Sequence, residues 1–139
     1  MLLDTNIPMY AAGRDHPLRE PARRVIRAVV AGDIDAYTDA EVLQEILYRY
    51  FSAGERSHAL AVFDNFYQVM AGRVLPVEVD DVVRARALAE ANPTLSARDY
   101  VHWAVMIRNG LATIITADRH FDGIVGITRV DPADYWPGS

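Results

Sequence analysis

Five short segments rich in Val, Ile and Leu punctuate the chain, at about 1–4, 34–38, 73–77, 113–116 and 126–130. Their length and β-branched content are those of buried strands. Between them run longer stretches with apolar residues at helical spacing. From 17 to 31, Ala22, Val25, Ile26 and Val29 recur at i, i+3, i+4 and i+7, which is one face of a helix. Thr38 opens a second helix that breaks at Gly54, and a third runs over 55–70. A fourth spans 79–91 and stops before Asn92-Pro93, where the proline disfavours helical backbone. The last follows Ser96 and ends at Asn109-Gly110, a usual helix stop. Strands that alternate with helices of this length predict βαβ units. The expected architecture is a three-layer α/β/α fold with a central, mostly parallel sheet of about five strands, in one domain over 1–139.

Acids stand at the ends of these strands. In an open parallel sheet, ligands bind beyond the carboxyl ends of the strands, near the point where strand order reverses. Asp4 ends the first strand, and Asp118 follows the fourth in "ATIITADRHFD". Each acid also has a local reading. In "DTNIP", Asn6 is the better helix cap and Pro8 suits a first turn, which leaves Asp4 without a structural task. Ser96-x-x-Asp99 and Thr38-x-x-Glu41 both fit the capping box. After Asp99, the helix sets Val101, Ala104, Val105 and the stem of Arg108 on its apolar face, with His102 on the face of the acid. Glu45 lies off the centre of the stripe Val42, Leu43, Ile46, Leu47 and Tyr50, so periodicity makes it exposed and idle. Asp118 and Asp122 both suit turns.

Composition narrows the chemistry. All 14 basic residues are arginine, so no site can use a lysine: not a Walker A loop, a Schiff base or a phosphoacceptor receiver. Without cysteine there is no disulfide, thiolate nucleophile or Cys-based zinc site. A net charge of −5 argues against nucleic-acid binding by bulk electrostatics, so such a role needs local basic surface or bridging cations. The opening "MLLDTN" has no secretion-signal pattern, and no apolar run is long enough for a membrane span, so a cytoplasmic protein is expected. Arg14, Arg19, Arg23, Arg24 and Arg27 form the densest basic stretch. It reads either as a solvated face offset by Asp15 and Glu20, or as an edge that guides phosphates. Tyr48, Tyr50, Phe51, Phe63, Phe66 and Tyr67 crowd one helical pair, mostly as core, with some left over to cover a groove for a partner helix or a second copy.

Taken in order, "LLDTNI", "T…LQEIL", "ARDYVHWAVMIRNG" and "ATIITADRHFDGIVGITRVDP" resemble the PIN-domain ribonucleases, and within them the VapC toxins of toxin–antitoxin modules. The resemblance runs from Leu2 to Pro132. It implies that Asp4, Glu45, Asp99 and Asp118 are the catalytic acids, which overrides the periodicity reading of Glu45. Asn6, Thr116 and Asp122 would support them, with Arg19, Arg23, Arg24 and Arg27 as candidate substrate guides. His102 and His120 resemble residues of one branch and receive no role. Four converging carboxylates need a cation between them, and oxygen donors suit Mg²⁺ or Mn²⁺, held by Asp4, Asp99 and Asp118. The resemblance further implies hydrolysis of single-stranded or loop RNA to a 5′-phosphate and a 3′-hydroxyl, neutralisation by a cognate antitoxin, and a homodimer. The alternative is a non-catalytic metal-binding or interaction domain of the same fold.

Overall fold

Successive strand residues point to opposite faces of a sheet, and here both faces are apolar. In the computed structural model, which describes residues 1–138, Leu2 packs into one core and Leu3 into the other. Ile114 and Ile115 divide the same way. A sheet that buries both faces must be covered by helices on each side, and this produces the three layers.

The elements follow as β1 (Leu2–Leu3), α1 (Asn6–Ala12), α2 (Arg19–Ala31), β2 (Thr38–Asp39), α3 (Ala40–Ser52) and α4 (Arg56–Val69). Then come β3 (Val74–Leu75), α5 (Val79–Ala91), α6 (Ala97–Arg108), β4 (Thr113–Ile115) and β5 (Thr128–Val130). All strand pairs are parallel. β1, β4 and β5 form one sheet and β2 with β3 another. A parallel bridge between Leu2 and Tyr37 joins the two, with Leu3 N–H donating to the Tyr37 carbonyl at 2.8 Å. The continuous order is therefore 3-2-1-4-5, and it reverses between β1 and β4. Helices α1 to α4 cover the Leu3 face, while α5 and α6 cover the Leu2 face. No described helix is long and apolar enough to cross a membrane.

The strands are shorter than the apolar segments, and the acids do not mark where pairing stops: Asp39 lies inside β2, paired with Leu75. Helix α1 is an addition: its seven residues are too few for a periodic signal. Thr38 is not the cap of α3. It stays in β2, where its hydroxyl donates to the Leu3 carbonyl at 3.0 Å. Asp39 is the cap instead, accepting from Val42 N–H at 2.9 Å. At the far end of α2, Gly32 takes φ +76°, a left-handed turn that residues with a Cβ rarely adopt.

The stem of Arg108 is not core filling either. Its guanidinium forks onto Asp81, with Nε–Oδ1 and Nη2–Oδ2 both at 2.9 Å, and so ties α6 to α5. Asp81 also closes the capping box of α5 with Glu78, and its side chain is 2% exposed. Asp81→Ala should cost about 1–2 kcal/mol, through the lost cap and the lost ion pair to an exposed arginine. The Arg108 hydrogen bond holds the Asp81 carboxyl below the usual carboxylate range. A depressed folded pKa contributes stability above the unfolded value, near 4, that is lost as pH falls through the folded one. Urea melts of wild type and Asp81→Ala should therefore converge on acidification; a difference under about 1 kcal/mol at neutral pH would sink this account.

Candidate active site

Asp4 extends β1 by one residue, its N–H donating to the Ile115 carbonyl at 3.2 Å, so its side chain emerges at the carboxyl edge of the sheet. Both of its oxygens are fixed. Oδ1 accepts from Thr5 N–H at 2.7 Å. Oδ2 accepts from the Thr116 hydroxyl at 2.7 Å and from Asn6 Nδ2 at 3.3 Å. The Thr116 oxygen in turn accepts from Asn6 Nδ2 at 2.8 Å and from Asp118 N–H at 3.0 Å. With those two donors aimed at it, the single hydroxyl proton goes to Asp4. Asn6 is therefore no helix cap, a place taken by Thr5. Its amide bridges the ends of β1 and β4, and its Oδ1 accepts from Ala117 N–H at 3.1 Å. This lattice sits at the reversal of strand order, where a doubly wound sheet opens its crevice.

Glu45 is buried, 6% exposed, which corrects the periodicity reading. It lies three residues after Val42 and one before Ile46, inside the buried face of α3 rather than beside it. Oε1 accepts from the Thr5 hydroxyl at 2.8 Å, and Oε2 from Arg49 Nε at 2.9 Å, with Arg98 Nε at 3.5 Å. Asp99 has two tasks at once. It forms the capping box with Ser96, both bonds at 3.3 Å, and it faces the cleft. Asp118 caps a 3-10 turn, accepting from His120 N–H at 2.9 Å with His120 Nδ1 at 2.7 Å.

Asp4, Glu45, Asp99 and Asp118 thus line one cleft of about 550 Å³, together with Asn6, Arg49, Arg98 and His120. The other candidates lie elsewhere. Asp122 is exposed and pairs with Arg129, Nε–Oδ1 at 2.7 Å. None of Arg19, Arg23, Arg24 and Arg27 lines the acid cleft. Arg23 and Arg27 line a separate cavity between α1, α2 and α4. Arg24 holds the carbonyls of Tyr135, Pro132 and Ala133 and lies 3.8 Å above the Trp136 ring, so it anchors the end of the chain. Arg27 pairs with Glu20. Arg19 Nε is buried and has no partner among the described residues.

Beneath Asp4 is a pair that the sequence reading left out. His102 and Asp39 are fully buried, and His102 Nδ1 meets Asp39 Oδ2 at 2.7 Å. The other ring nitrogen, Nε2, has no hydrogen-bond partner among the described residues and lies 3.8 Å from Asp4 Oδ1. Burial alone would lower the His102 pKa, but the Asp39 charge and hydrogen bond, then Asp4 and Asp99, raise it to about 9. At neutral pH the ring is an imidazolium between two carboxylates. Burial pushes the Asp4 carboxyl above its ordinary range, with His102 pulling it back and Asp99 adding to the rise. Asp99 is raised too, first by burial and then by Asp118.

These shifts mark acids whose charge is under-compensated, the condition in which a cation is welcome. Ligand-type atoms of Asp4, Glu45 and His102 fall within 4.8 Å of one another. A protonated imidazole has no lone pair to give, so the donors offered to a cation are carboxylate oxygens from Asp4 and the facing Asp99 and Asp118. That set fits a hard divalent ion.

The PIN domain model matches residues 1–126. Ribonuclease VapC13 of Mycobacterium tuberculosis is 41% identical over 130 residues, covering 94% of this chain and 98% of that protein. Ribonuclease VapC23 of the same species is 38% identical over 121 residues, covering 86% and 93%. Among solved structures, Mycobacterium tuberculosis VapC20, a sarcin–ricin-loop-cleaving toxin, superposes with a TM-score of 0.70 at 19% identity, covering 91% of this chain and 97% of that one. Rickettsia felis VapBC2, solved with a promoter DNA fragment, gives 0.69 at 15%, covering 94% and 98%. By family model, by sequence and by fold, the chain belongs to the PIN domain family, alongside the VapC ribonucleases.

Proposed function

We propose that this chain is a metal-dependent endoribonuclease, the toxin of a type II toxin–antitoxin pair. The observation that carries this reading is the convergence of Asp4, Glu45, Asp99 and Asp118 on one cleft at the reversal of strand order. The names of the VapC relatives support RNA as substrate, and the toxin–antitoxin complex from Klebsiella pneumoniae among structures of the same fold supports a protein partner. A half-exposed apolar face along α3 and α4, with Tyr48, Phe51, Leu60 and Tyr67, is available to such a partner.

Asp4, Asp99 and Asp118 would hold Mg²⁺ or Mn²⁺. When bound, that ion supplies charge neutralisation and polarisation of the scissile phosphate. The chain's own residues do the rest. The Thr116–Asn6 lattice fixes the angle of Asp4, and the capping box fixes that of Asp99. Glu45, clamped by Thr5 and Arg49, is placed to orient the attacking water. Hydrolysis leaves a 5′-phosphate and a 3′-hydroxyl.

Glu45→Gln against Glu41→Gln tests the assignment. Glu45→Gln should abolish cleavage of a single-stranded RNA in Mn²⁺. Glu41→Gln should leave it unchanged and shift stability by under about 0.5 kcal/mol, since Asp39 rather than the Thr38–Glu41 pair caps α3. The reverse pattern would show that the register of α3 against the cleft has been misread.

A further inference from the structure

The arginines of this protein differ in how they use their guanidinium. Three of them engage two or more nitrogens of the fork, whereas Arg23 gives only Nε, to the Ala11 carbonyl at 2.9 Å and away from the acid cleft, and Arg73 only Nη1. Arg108 meets Asp81 through Nε and Nη2. Arg129 meets Asp122 through the same two atoms and the Thr116 carbonyl through Nη1. Arg24 divides Nε and Nη2 among three carbonyls. Arg49 and Arg98 behave differently. Arg49 Nε donates to Glu45 at 2.9 Å, Arg98 Nε lies 3.5 Å from the same carboxylate, and among the described residues no hydrogen bond is made by the Nη atoms of either. Both side chains are partly exposed, and both line the wall of the cleft that holds the acids. Arg98 also lies 5.1 Å from the centroid of the Tyr48 ring, which is half exposed.

A guanidinium binds oxyanions best through two parallel N–H groups, so a fork left open beside a cleft is a vacancy for one. We propose that Arg49 and Arg98 form a phosphate-binding pair that grips the backbone of unpaired RNA next to the bond being cut, with Tyr48 offering its face to a neighbouring base. The single contact from each arginine to Glu45 sets the direction of the fork and leaves its outer edge to the ligand. This also explains how a chain of net charge −5 handles RNA. The attraction is confined to two arginines and the cation site, so the phosphate footprint is small. Aromatic faces stack on any base, which favours single strands over duplex without demanding a sequence.

This inference rests on the reading of the cleft as a ribonuclease site, so binding and cleavage are measured separately. A short fluorescent single-stranded RNA is titrated by anisotropy across a salt series in EDTA, where no cleavage competes. Wild type should show a shallow log–log slope. Arg49→Gln and Arg98→Gln should each reduce it by about 0.7 and weaken binding about tenfold at low salt, with Arg84→Gln on α5 as the unaffected control. Lysine at either position should keep the slope and lose part of the affinity, because the charge remains and the fork does not. Each variant is repeated in a Glu45→Gln background. If the arginines serve only to satisfy Glu45, their effect vanishes there; as phosphate ligands, they keep it. Wild-type slopes in both glutamine variants, or an effect confined to the intact Glu45 background, would overturn the pair. So would a wild type that binds an oligo-glutamate peptide but not RNA, which would assign the forks to an acidic protein segment. Cleavage by wild type in Mn²⁺ is scored on the same preparation, so the nuclease reading stands or falls by itself.

Discussion

Asp99→Asn is expected to leave the fold standing and to lower RNA cleavage at least about a thousandfold, roughly 4 kcal/mol of barrier. The asparagine Oδ1 can still accept from Ser96 N–H, so the cap of α6 survives while the anion that faces Asp118 is gone. Binding of Mn²⁺, followed by calorimetry, should weaken in parallel. Asp4→Asn is a less clean version of the same experiment. Both oxygens of Asp4 accept hydrogen bonds, so the new amide would set N–H against Thr5 N–H or against the Thr116 hydroxyl and Asn6 amide. Its loss of activity would be mixed with about 1–3 kcal/mol of instability. Because Asp4 and Asp99 both sit above the ordinary carboxylate range, protons compete with the metal at a higher pH than for exposed acids. Cleavage should therefore begin to fall above the usual carboxylate pKa. Full activity in Asp99→Asn, with unchanged Mn²⁺ binding, would remove that residue from the site.

His102→Gln should destabilise the protein by about 3–5 kcal/mol, because it leaves buried Asp39 and Asp4 facing each other without the cation between them. Its dependence on pH carries the sign that identifies the cause. The folded pKa of His102, about 9, lies above its ordinary 6.5. A raised folded pKa gives stability that is complete below the unfolded value and lost as pH rises through the folded one. On the order of 3 kcal/mol of the difference between wild type and variant should therefore disappear between pH 6.5 and about 9. Subtracting the variant's curve removes the amino terminus, which titrates nearby. Chemical denaturation at intervals over that range makes the measurement. A difference that is small, or flat with pH, would mean that His102 is neutral and merely fills space.

Much of this protein was legible before any coordinates. Alternation of apolar strands with helices of fixed length dictated the three layers, because Leu2 with Leu3 and Ile114 with Ile115 are apolar on both faces and need covering twice. The Ser96–Asp99 capping box was readable because both partners are local, within one turn. The placement of Asp4 and Asp118 followed from the rule that parallel sheets present their strand ends to ligands.

What the chain order could not state is which groups meet across it. Glu45 looked idle because periodicity ranks residues by the apolar stripe and takes no account of a polar pocket dug into that stripe by Thr5, forty residues away. Asn6 looked like a cap because its real partners, Thr116 and Ala117, lie just past the end of β4, more than a hundred positions on. The arginines of α2 stood out by density, yet guidance of phosphate depends on where an open fork faces, and at the cleft those forks belong to Arg49 and Arg98 on different helices. Asp39 and His102 carry no local sign of their pairing, since the energy of a buried ion pair arises only when folding removes the water between two side chains. The layers, the Ser96–Asp99 cap and the acids at the strand ends can be read along the chain, because each depends on neighbours within a turn or on a repeating period. Which acids share a cleft, which cation sits beneath them and which arginines remain open to a ligand are settled by folding, because charge and desolvation act through space and not along the chain.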